Sequence, residues 1–171
     1  MSDPHPAAQA MLDHLFALET AAQRRCDASA ARIDSGPMNA LLLLHSAAHR
    51  GNAQRLSDAV VLLCGTPPSG LTDTLASDPA GPGFPAGDHG IDALLDACIA
   101  EDRQAAEAYQ RAIAHDAAGG WRWPEGVPVI LEAGLRSNEA RCRELIDAKA
   151  AGERPRGAAA RAEPSGDAPA P

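Results

Sequence analysis

The stretch Leu41–Leu56, LLLLHSAAHRGNAQRL, carries two histidines four residues apart. On a helix that spacing stacks His45 and His49 on neighbouring turns, where two imidazoles can share a metal or serve as scaffold. The softer ligands are the four cysteines Cys26, Cys64, Cys98 and Cys142, which lie far apart with no Cys-x-x-Cys pair. That spacing argues against both a disulfide framework and a ribbon-type zinc site. A second pattern repeats: Asn52-x-x-Arg55 in "RGNAQRL" and Asn138-x-x-Arg141 in "RSNEARC". An amide and a guanidinium one turn apart can hold carboxylates by hydrogen bonds and charge, but arginine keeps its proton and cannot ligate a metal.

Four helices are expected to position these groups. The first runs from about Ala8 to Ile33 and stops at "DSGP"; Pro37 suits the first turn of the second, which ends at "CGTPP" with Gly65 as a left-handed cap. Residues of about 65–89 are rich in proline and glycine and read as a crossover loop, with a short helical turn near Leu71 to Ala76. Asp88 can cap a third helix from Ile91 to about Asp116, and Pro128 sits near the start of a fourth ending near Ala150. Residues 1–7 read as a flexible N-terminus and 151–171 as a disordered tail. Short turns join the first helix to the second and the third to the fourth, so each pair should form an antiparallel hairpin. The crossover, at about 3.3 Å per residue, can span a helix of about 39 Å. The fold expected is therefore an all-α, ferritin-like four-helix bundle of two hairpins, running up, down, down, up.

Composition agrees. Hydrophobic residues make up 45% of the 171, but aromatics only 3%, and alanine is abundant, which favours closely spaced helices over sheets. The net charge of −8 gives a nucleic acid or an anionic membrane surface nothing to hold. No apolar run approaches the roughly 20 residues that cross a bilayer, and the N-terminus lacks a signal-peptide pattern, so a cytoplasmic location is expected.

The hairpins echo one another. A shift of 79 carries Leu12, Leu15, Phe16, Gln23 and Ile33 onto Ile91, Leu94, Leu95, Asp102 and Ala112. A shift of 86 carries Asn52, Arg55 and Asp58 onto Asn138, Arg141 and Glu144, as a duplicated hairpin would. Each apolar stripe is interrupted near its middle: by Glu19 and Gln23, by Asn52 and Arg55, by Asp102, and by Asn138 and Arg141. A di-iron bundle needs Glu-x-x-His on two helices and a glutamate on the other two. No glutamate stands between Glu19 and Glu101, so the second helix cannot supply one. The interruptions are instead expected to form a metal-free layer in which Arg55 and Arg141 neutralise Glu19 and Asp102.

The stretches "SAAHRGNAQRLSDAVVLLCGTPP" and "LLDACIAEDRQAAEAYQRAI" resemble a bacterial four-helix-bundle family of the ferritin-like class, domain of unknown function 2383. The resemblance covers about Leu12 to Lys149, in helix order and loop position more than in identities. It implies a ferritin-like fold, brings no established activity, and transfers no catalytic residue.

Two bland features complete the pattern. The tryptophans of "WRWPEG" are expected to close the open end of the bundle, and Tyr109 to be core with its hydroxyl satisfied by the polar layer. The expected function is that of a non-enzymatic cytoplasmic bundle without cofactor, a scaffold or stress-related binding protein, with a homo-oligomer left open and other partners unknown. Its rivals are a zinc or copper(I) protein using Cys26, Cys98 and Cys142 with His45 or His49, and a degenerate di-iron protein. Counted from the polar layer, the cysteines and histidines fall within roughly 6–10 Å along the axis. Free cysteine in an alanine-rich core nevertheless behaves as a small hydrophobe, so no metal is expected, His45 bonding the layer and His49 lying at its solvent edge.

Overall fold

The computed structural model describes residues 6–33, 36–68, 90–117 and 122–152. They form four helices, α1 (Pro6–Ala30), α2 (Pro37–Cys64), α3 (Ile91–Ala117) and α4 (Val127–Gly152), and among them there is no strand. The punctuation acts where the sequence places it. Pro37 stands in the first turn of α2, and Gly65 closes that helix at φ 73°, its amide donating to the Val61 carbonyl. A left-handed residue at a helix end costs glycine nothing. Gly36 and Gly126, also at positive φ, stand immediately before α2 and α4. The Leu71–Ala76 turn, the Asp88 cap, Trp121 and the tail beyond Gly152 lie outside the described residues.

The chain is an all-α four-helix bundle. α1 packs most extensively on α2, and α3 on α4; α1 also packs on α3, and α2 on α4. Cross-links fix the directions. Arg25 near the end of α1 pairs with Glu101 in the first half of α3 at 2.7 Å, and His45 early in α2 meets Glu144 late in α4 at 2.9 Å. Both neighbouring pairs are thus antiparallel, which gives the up, down, down, up order.

The core is split in two. One apolar cluster, around Leu12, Leu15, Phe16, Leu56, Tyr109 and Leu131, fills the end where α1 begins. The other, around Cys26, Ile33, Leu42, Leu95, Cys98 and Leu145, fills the end where α1 stops. Trp123 closes the first cluster, its indole N–H donating to the Ala112 carbonyl at 3.3 Å.

Tyr109 is buried, and its ring lies on the backbone of Gly134, so close that a methyl group there would overlap the ring and its hydroxyl. The hydroxyl lies beside Glu19 without completing a hydrogen bond, contrary to the expectation that the polar layer satisfies it. Burial first, and then the Glu19 charge, push its pKa far up, so it stays protonated. Gly134→Ala should therefore destabilise the bundle by about 1–3 kcal/mol, although alanine is the better helix former by ~1 kcal/mol. Urea denaturation measures this, and Tyr109→Leu in the same chain should recover part of the loss.

Candidate functional site

Nine polar side chains are buried among the described residues, and most of them meet between the two apolar clusters. Glu19 of α1 is fully buried there, and three other residues reach it through hydrogen bonds. Its Oε1 accepts from Asn52 Nδ2 at 2.9 Å and from Asn138 Nδ2 at 2.8 Å; its Oε2 accepts from His49 Nδ1 at 2.6 Å. Asp102 of α3 is equally buried, and its Oδ1 accepts from Arg141 Nε at 3.0 Å, with His49 Nε2 at 3.3 Å. Arg141 then closes the layer: Nη2 donates to Asn138 Oδ1 at 2.7 Å and lies 3.7 Å from Glu19 Oε2, while Nη1 donates to Ser137 at 2.6 Å.

His49 is the hub. Each ring nitrogen faces a carboxylate, Glu19 on one side and Asp102 on the other, which is the arrangement of an imidazolium donating twice. Arg141 Nη2 stands 3.1 Å from His49 Nδ1. The same ring nitrogen thus faces both the Arg141 guanidinium and the Glu19 carboxylate, and Arg141 Nη2 itself lies 3.7 Å from Glu19 Oε2. Burial is the largest influence on the His49 pKa and lowers it. The hydrogen bonds to Asp102 and Glu19 outweigh that effect and leave the pKa raised. Burial likewise raises the Glu19 pKa, but the His49 hydrogen bond, the His49 and Arg141 charges and Asn138 bring it below the usual value.

Five of the seven residues expected in the layer are placed together: Glu19, Asn52, Asp102, Asn138 and Arg141. Two are not. Gln23 is half-buried and makes no polar contact with the layer among the described residues. Arg55 is exposed and donates only to the amide oxygen of its own Asn52 at 2.5 Å, so it neutralises neither carboxylate. Asn52/Arg55 and Asn138/Arg141 thus repeat the same local bond, guanidinium to amide one turn back. Their surroundings differ. Arg141 meets Asp102 on the other helix of its hairpin, whereas the equivalent α1 position is the neutral Gln23.

The histidines also depart from expectation. His49 is buried at the centre of the layer rather than at its solvent edge, because α2 turns His49 and Ala53 inward and Arg55 outward. His45 is buried above the layer and meets Glu144 through Nε2, while its Nδ1 has no partner. Burial, the largest influence, pulls the His45 pKa down despite Glu144.

Cys26 and Cys98 are buried together in the second apolar cluster, and Ser29 Oγ stands 3.7 Å from Cys98 Sγ. The Cys98 contact, with burial, holds the Cys26 pKa far up, so that thiol keeps its proton. Cys142 packs against the cluster from a half-buried position, and Cys64 is half-buried at the opposite end of the bundle. Among the described residues no three histidine, cysteine, aspartate or glutamate side chains are placed to share one metal ion.

The layer sets two measurable expectations. Arg141→Met strands buried carboxylates and should cost about 3–5 kcal/mol, whereas Arg55→Met should cost under about 1 kcal/mol. Denaturation midpoints for the two variants read the difference.

The second expectation is a pH dependence. A raised His49 pKa contributes stability that is complete below the unfolded value of 6.5 and is lost as pH rises through the folded value. The Glu19 contribution is complete above 4.5 and lost on acidification. His45, with its pKa lowered, contributes stability above 6.5 that is lost as pH falls through its folded value. Ring-proton titration by NMR should therefore place His49 above 6.5 and His45 below it. The destabilisation caused by His49→Gln should shrink as pH rises past the folded His49 value.

No family model, curated protein or solved structure matches this chain. What the bundle does is therefore read from its own residues.

Proposed function

We propose that this chain is a non-enzymatic four-helix-bundle scaffold whose central layer is a metal-free ion-pair network standing where a di-iron bundle holds its metals. One observation carries the reading: Arg141 inserts a permanent cation between Glu19 and Asp102, with His49 as the second cation. The donor set does not fit a di-iron centre. Asn52 and Asn138 stand where glutamates are needed, and their amides spend a proton on Glu19 rather than offering a lone pair to a metal. No reaction step is assigned to the layer, and no cofactor is required by it.

On this reading the chain is a ferritin-like protein of the kind called domain of unknown function 2383, cytoplasmic and stress-related, that uses its fold rather than a reaction. Its net charge of −8 fits neither a nucleic acid nor an anionic membrane as partner. No described helix is long and apolar enough to cross a membrane. Against the rival cysteine–histidine site, His45 Nε2 meets Glu144, and no three metal-ligating side chains converge among the described residues.

The test is metal titration of untagged, reduced protein with ferrous iron, zinc and copper(I), followed by calorimetry and by the His49 ring resonances. Expected is no stoichiometric uptake and no shift at His49. Stoichiometric iron binding that moves the His49 resonances would overturn the ion-pair reading. Stoichiometric zinc or copper(I) that shields Cys26, Cys98 and Cys142 from a thiol reagent would establish the rival site.

A further inference from the structure

The outward side of α2 is unlike the rest of the surface. Seven large hydrophobic residues are exposed among the described residues, and four of them lie on this helix: Leu43 at 50%, Leu44 at 64%, Val61 at 44% and Leu62 at 76% exposure. At 100° per residue, Leu43, Arg50, Gln54, Asp58 and Val61 fall within about 40° of one line, opposite the buried His45, Asn52 and Leu56. Leu44 and Leu62 share one flank of that line. The stripe runs for about 29 Å along a helix of 28 residues, which is about 42 Å long. Scattered exposed leucines need no explanation, but paired ones at both ends of a single face do.

The order of groups along the stripe is symmetric: an apolar pair, a cation, an amide, an anion, an apolar pair. The midpoint of Leu43 and Leu62 and the midpoint of Arg50 and Asp58 both fall within two residues of Gln54. A second α2 laid antiparallel, with a two-fold axis near Gln54, brings Leu43 and Leu44 within about one turn of Val61 and Leu62 of the other copy at both ends. The same operation brings each Arg50 within reach of the other copy's Asp58. Because the axis keeps like flanks on one side, Leu44 meets Leu62 rather than solvent. Within one chain Arg50 has no ion-pair partner among the described residues, and Asp58 accepts only from Gln54, at 2.9 Å. A parallel pairing would set Arg50 against Arg50 and apolar ends against their own kind. The charges therefore select the antiparallel arrangement, which is the self-complementarity an isologous dimer requires.

We infer that the chain forms a two-fold homodimer through the outward face of α2, packed antiparallel about Gln54, with Leu43, Leu44, Val61 and Leu62 as its apolar anchors and reciprocal Arg50–Asp58 pairs setting its register. This dimer stands apart from the reading of the polar layer: its residues point away from the core, so it can fail while the layer stands, and the reverse.

Sedimentation equilibrium of the full, untagged, reduced chain tests it, with circular dichroism confirming that each variant keeps its helices. The mass of two chains is expected at ~100 µM. Leu62→Glu and Leu43→Glu should each raise the dimer Kd at least ~100-fold. Arg50→Glu and Asp58→Arg should each raise it ~10-fold, and the two together should return it to within ~3-fold of the original, since the swapped pair is again complementary. A single-chain mass at that concentration overturns the inference. So does a dimer indifferent to Leu62→Glu, or a double charge swap that adds the two losses instead of cancelling them.

Discussion

A glutamate taken wholly out of water is the constraint on which the rest of this bundle depends. Leaving a carboxylate buried without partners costs several kcal/mol, more than most packing errors. Glu19 escapes that cost only if Asn52 and His49 of α2 and Asn138 of α4 arrive together. Asp102 ties α3 to the same set through His49 and Arg141. One residue of slip in α2 would rotate Asn52 by about 100° away from its acceptor. The polar layer thus makes the register count, together with the close fit of Tyr109 on Gly134. Such a network contributes more to uniqueness than to stability, since an apolar layer of the same volume would hold the helices at least as firmly.

Position along the axis follows from that layer. It separates the core into two apolar clusters, one closed by Trp123 and floored by Tyr109 on Gly134, the other holding Cys26 and Cys98. Between the two halves lie the hydrogen-bonded groups together with the buried Ala22 and Ala105, and the Tyr109 hydroxyl reaches toward Glu19 from the first half. With the inward face of α2 committed to the layer, its outward face carries the symmetric stripe of apolar ends and central charges.

Much of the architecture is legible in the sequence because breakers speak plainly. Pro37 and Gly65 bound α2, and Gly126 with Pro128 opens α4. Polar residues in apolar stripes equally announce Glu19, Asn52, Asp102, Asn138 and Arg141. The phase of α2 is a different matter. Four consecutive leucines, Leu41 to Leu44, fit any face, and alanines at 47, 48, 53 and 59 do not break the tie. The buried side is rotated by about 90°, close to one residue, from the line through Leu41, Ala48 and Arg55. That rotation exchanges His49 for Arg55 at the centre. One signal for it was present: Leu43, Leu44, Val61 and Leu62 cannot all be inward on a helix that also buries Asn52, so an apolar outer face had to exist.

Charge accounts for the same exchange. Glu19 and Asp102 face Arg141 and His49 in the layer, and their hydrogen bonds raise the His49 pKa so that the imidazole is favoured in its charged form. A second arginine inside would leave the layer with an excess positive charge in a low-dielectric space, the most expensive error available there. Once His49 is the hub, Arg55 has to leave. It does so without moving its backbone, keeping the bond to Asn52 that its counterpart Arg141 makes to Asn138. The two hairpins thus share one local design and differ in a single electrostatic decision, taken where α1 offers Gln23 and α3 offers Asp102. The central acids of this bundle are thus held by a histidine and an arginine, and that pairing joins α1 and α3 through residues of α2 and α4.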